Sequence, residues 1–146
     1  MSARPGIATR PLVSAAVVAL MLVSACGKSE PKNTPLDVLR AFNSALASGN
    51  GKRACDLLTD ERRQQVNDDA SVVHQNCEAK LTGLTKQGSQ DAPDVKALAS
   101  AHLGLPMITG DTATIEVDAK PFGTSEAQLE HQQDGKWRVS ESAAGF

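Results

Sequence analysis

The 146-residue chain is 22% charged and 40% apolar, proportions of one folded domain plus a targeting segment rather than of a disordered chain. A formal net charge of −2 supplies no basic face, so no nucleic-acid partner is expected. Three Phe, one Trp and no Tyr leave few rings to stack on a nucleotide or flavin.

Met1 to Ala25 carries Arg4 and Arg10, then an apolar run from Leu12 to Val23. Those twelve residues make a helix of roughly 18 Å, short of the roughly 30 Å hydrocarbon core of a bilayer. A basic flank, a short apolar middle and small residues before a cut site form the pattern of an export signal, here residues 1–25. The stretch Val23-Ser24-Ala25-Cys26 resembles the lipobox of bacterial lipoproteins: an aliphatic residue, two small ones and a target cysteine. The resemblance implies that the Cys26 thiol receives a diacylglyceryl group and that a signal peptidase cuts just before it. Two acyl chains hold a protein stably at a membrane surface where one does not. The implied address is the extracytoplasmic side of the cell membrane, with membrane lipid as partner through Cys26. Residues 26–34 then read as the lipidated cysteine and a polar tether stiffened by Pro31. Losing residues 1–25 removes two arginines and no acid, leaving 13 basic against 17 acidic side chains, a charge of −4.

Export places the chain in an oxidising compartment. With Cys26 assigned to lipid, Cys55 and Cys77 remain, and two leftover thiols most simply form a disulfide. They lie 22 residues apart, a loop whose closure is worth roughly 3 kcal/mol. The two cysteines lack the further ligands a metal site needs, and no CxxC pair occurs, so no metal or redox site is expected there.

Thr34-Pro35-Leu36-Asp37 signals a helix start, with a cap, a proline at the first position and an acid three residues after the cap. Leu36, Leu39, Phe42, Ala45 and Leu46 continue it at helical steps until Ser48–Gly51. A second helix is predicted over 53–58, a further turn or two from a Thr59 cap through Val66, and another over 72–84. In the last of these Val73, Cys77, Leu81 and Leu84 share a face. Lys86 to Pro93 reads as loop, and Ala97 to Ile108 as a strand that Pro106 confines to an edge or bulge. Thr112 to Ala119 alternates, with Ala113, Ile115, Val117 and Ala119 on one side. Glu126 to Gln133 alternates more weakly. Asp134-Gly135 is a hairpin turn, and Trp137, Val139 and Glu141 share one side of the last strand. Helices first and an antiparallel meander last make the class α+β.

The segments ASGN (47–50), ACDLL (54–58), Cys77, GDTATI (110–115) and DGKWRV (134–139), in this order, resemble the small NTF2-like (cystatin-like) domains of actinobacterial lipoproteins. For residues 35–146 the resemblance implies N-terminal helices packed on a curved antiparallel sheet, a cone around an apolar cavity. It implies no chemistry by itself. The ketosteroid-isomerase branch of that superfamily uses a tyrosine, which this chain lacks. An Asp–Arg–Asp set of the epoxide-hydrolase kind is not assignable, Arg40 being the one basic residue of the first helix.

His131 shares the parity of Ala127 and Leu129, which makes it the single candidate catalytic base. A half-buried sheet histidine satisfied by a neighbour is the plainer reading. His102 has no defined face, and His74 follows Val73 on a helix. Trp137 reads as packing and Asp60-Glu61-Arg62-Arg63 as a solvated helical face. No GxSxG, P-loop, GxGxxG or HExxH sequence occurs, and no cofactor or metal is expected. The expected function is a membrane-anchored, non-catalytic module that binds a small apolar ligand or an envelope protein. The alternative is an extracytoplasmic isomerase- or hydrolase-like enzyme that uses the cavity.

Overall fold

Helices precede the sheet along the chain and cover one of its faces, so the class is α+β. The computed structural model describes residues 32–71, 76–86, 92–120 and 123–143. The expected export signal, Cys26 and His74 lie outside the described residues.

Helix α1, Pro35–Ala47, starts on Thr34, whose side chain accepts from the Asp37 amide at 3.3 Å and donates to the Asp37 carboxylate at 2.7 Å. It stops because Gly49 takes φ +69°. That turn lets Asn50 N–H reach the Ala45 carbonyl at 2.8 Å and Gly49 N–H reach Leu46 at 2.9 Å, a Schellman closure. Asn50 at once caps α2, Gly51–Asp56, accepting from the Arg53 amide. Thr59 caps α3, Asp60–Ser71, by accepting from the Arg62 amide at 3.2 Å. Asn76 caps α4, Cys77–Gly83, accepting from the Ala79 amide at 2.9 Å. Of the helix predicted over 72–84, α4 is the described part; residues 72–75 lie outside the described residues.

Helix α5, Ala92–Leu98, takes in the last two residues of the expected loop and the first two of the expected strand. Pro93 and Asp94 suit a first turn, and Val95 and Leu98, three residues apart, are the two buried anchors. Strand character begins only at β1, His102–Leu103, and β2, Met107–Thr109. Both pair with β3, Thr112–Ala119: Leu103 opposes Val117 and Met107 opposes Thr114, so β1 and β2 are one edge strand carrying an extra residue around Pro106. The edge or bulge expected from that proline is what forms.

Strand β4, Gly123–His131, pairs along the whole of β3, and β5, Trp137–Glu141, pairs with β4 across the Asp134-Gly135 turn. The register shifts between Gln128 and Leu129, which face Glu141 and Val139. This bulge moves Glu141 onto the polar face, away from the Trp137 and Val139 side on which strict alternation puts it. The outer edge of β5 is occupied: Val139 N–H bonds to the Leu57 carbonyl at 2.9 Å and Thr59 N–H to the Val139 carbonyl at 3.0 Å.

The core lies between α1 and the sheet. Leu39, Phe42 and Leu46 are fully buried against Ile115, Val117, Leu129 and Val139, each worth about 1.5–3 kcal/mol as a buried side chain. Cys55 and Cys77 are bonded, with Cα atoms 6.2 Å apart, and clamp α2 to α4. Gly51 opens the same seam. A Cβ there would stand 2.1 Å from the Glu78 carbonyl oxygen and 2.7 Å from the Thr82 amide nitrogen.

Candidate functional site

The apolar stripe of α1 runs through Leu39, Phe42 and Leu46, and Asn43 falls on it, four residues after Leu39 and three before Leu46. The helix therefore carries an amide side chain into the interior, where only 4% of the residue is exposed. Its Nδ2 has no hydrogen-bond partner. Leaving a buried amide unpaired costs about 1–3 kcal/mol. The one other such atom among the described residues, Arg62 Nε, belongs to a guanidinium whose Nη1 already bonds Gln65 at 2.8 Å.

Asn43 lines a cleft of about 420 Å³ between α1 and the α5–β1 connection. Arg40 and Ser44 come from the same side of α1, one helical turn before and one residue after it. Opposite stand Leu98, Ala99, Ala101, His102 and Leu103. One wall is thus a set of hydrogen-bond donors and the other mostly aliphatic. Arg40 is exposed at the rim and lies 3.8 Å from the Asp37 carboxylate, a loose pair that leaves the guanidinium free to turn inward. A volume of this order suits a small organic molecule.

A second cleft of about 370 Å³ lies beside the β4–β5 turn, lined by Asn33, Val38, Arg53, Leu57, Trp137 and Arg138 among others. Asn33 and Arg138 in its lining have protein partners. Asn33 donates to the Gly135 carbonyl and accepts from the Trp137 amide at 3.0 Å. Arg138 donates to Asp134 at 2.6 Å, and this bond holds the Asp134 carboxyl below its ordinary 3.8. The Asn43 amide of the first cleft, by contrast, is buried and unpaired.

His131 lies at the end of β4, where the helix layer no longer covers the sheet. Its side chain is 38% exposed, its Nδ1 is 3.9 Å from Asp111, and its ring packs on Trp137 with centroids 5.1 Å apart. It is not among the residues lining the Asn43 cleft, whereas His102 is. Trp137 is half-buried against the core; on α3 Asp60 and Glu61 are exposed, while Arg62 and Arg63 are half-buried, with Arg63 paired to Asp60. Among the described residues no three His, Cys, Asp or Glu side chains are grouped to hold a metal ion. No described helix is long and apolar enough to cross a membrane.

Sequence reasoning passed over Asn43, although a polar residue inside an apolar helical stripe was the signal that could have found it. Comparisons with protein families, with curated proteins and with solved structures find no match for this chain.

Proposed function

We propose that the chain is a lipid-anchored, extracytoplasmic, non-catalytic binding module of NTF2-like type. In this reading the cleft between α1 and the α5–β1 connection seats a small ligand with an apolar body and one hydrogen-bond acceptor. Asn43 carries the proposal: its Nδ2 is buried without a partner, and the residue lines a cleft whose opposite wall is mostly aliphatic. An acceptor placed there supplies the missing bond, and Arg40 at the rim favours a carboxylate in that role. Support for the address comes from the lipobox-like Val23–Cys26 and from the Cys55–Cys77 disulfide, which suits an oxidising compartment.

Two measurements on protein extracted from bacterial membranes test the two halves separately. Intact mass is expected to give a mature chain that begins at Cys26 and carries a diacylglyceryl group, with Cys26→Ser unlipidated; a Cys26→Ser chain that keeps the lipid mass overturns the anchor. Solvent extraction of the same protein is expected to release a small acceptor-bearing molecule that Asn43→Leu fails to retain. Equal recovery from both, or none from either, overturns the cleft.

A further inference from the structure

The large hydrophobic side chains that stand exposed among the described residues fall within four consecutive positions: Leu105 at 87%, Met107 at 68% and Ile108 at 55%. They occupy the open edge of the sheet, since β2 pairs with β3 on one side only. Ile108 opposes the fully buried Ala113 and so continues the core-facing row of the sheet beyond the cover of the helices. Met107 opposes Thr114 and projects to the other face. Apolar groups thus flank both sides of one edge, an arrangement that water penalises and that marks a contact surface.

The position of this edge relative to the tether selects its occupant. Asn33 is bonded to Gly135 and Trp137, so the chain enters the domain at the β4–β5 turn. The β2–β3 turn lies at the same end: Thr109 opposes Thr112, and His131 N–H bonds to the Asp111 carbonyl at 2.7 Å. From β5 to β2 the sheet crosses three strand spacings, roughly 14 Å. Cys26 is seven residues before Asn33, a reach of at most roughly 25 Å. A bilayer holding Cys26 therefore meets the domain at the end that carries Met107 and Ile108. The opposite end, at Ala119 and Gly123, is a further eight residues of strand away, roughly 26 Å.

We infer that the Leu105–Ile108 edge rests on the membrane surface, its apolar side chains entering the interfacial layer and fixing how the anchored domain is oriented. The inference depends on the lipid-anchor reading. Lipid suits this edge better than a second copy of the chain does. Pro106 and the extra residue beside it break the run of unpaired amides and carbonyls that strand-to-strand pairing needs. Charge does not drive the contact, because exposed Asp111 and Lys136 offset each other and Asp134 is paired with Arg138.

The test places a lone tryptophan at either end of the sheet in the full lipidated protein, reconstituted in phosphatidylcholine vesicles with brominated acyl chains. The probes are Met107→Trp and Thr124→Trp, each with Trp137→Phe. Loss of emission is expected for Met107→Trp and none for Thr124→Trp. A protein that carries the diacylglyceryl mass but shows no quenching, or equal quenching at both positions, overturns the membrane contact and leaves the anchor standing. Absent quenching with copies cross-linked through this edge overturns it in favour of self-association. A chain without the lipid mass overturns both readings.

Discussion

The two sides of the helical layer are built to opposite ends. At the α2–α4 seam everything is closed: a disulfide fixes two helices, and a glycine admits the backbone of one against the other with no room for a methyl group. At the α1–α5 cleft an arginine stays loose at the rim, and a buried amide is left without a partner. Tight packing with satisfied polar groups is what stability selects. An open pocket with an unsatisfied buried amide is the opposite arrangement, and it is what the proposed binding role would account for.

Perturbing each side measures the contrast. The largest expected effect is at the disulfide: Cys55→Ala with Cys77→Ala should lower unfolding free energy by about 3–4 kcal/mol, read by urea denaturation. Next, Gly51→Ala should lose about 2–3 kcal/mol, since α4 backbone atoms and not a flexible side chain stand in the way. An unchanged midpoint for Gly51→Ala would show that the seam is looser than described. The smallest effect has the opposite sign. Asn43→Leu, close in volume and free of the orphan amide, should raise stability by about 1 kcal/mol as it abolishes ligand retention. A loss of stability there would mean that Asn43 is structural and would end the contrast.

How much of this was legible in the residues follows their physics. The α1 start, the β3 alternation and the Asp134-Gly135 turn depend on neighbours in sequence, and each forms where its pattern lies. The cysteine pair was legible because few thiols leave few pairings. Helix α5 was not, since seven residues with only Val95 and Leu98 buried are outweighed by the apolar run that follows from Ala101 to Ile108. The bulge that turns Glu141 outward was hidden for a different reason. It belongs to the partner strand's register and to no local pattern. The cleft lay furthest from view, because its walls come from residues 40–44 and 98–103, brought together only by packing.

The clasp of Asn33 on Gly135 and Trp137 has a consequence for how the domain is made. It joins positions more than one hundred residues apart, and the Leu57–Thr59 ladder likewise waits for Val139. The α2–α4 seam draws on residues 51–83 alone and can close early, but the sheet-facing side of α1 lacks its full cover until the final hairpin is made. Completion is therefore the last event of synthesis or delivery, and the contacts that complete it are the slow, long-range kind.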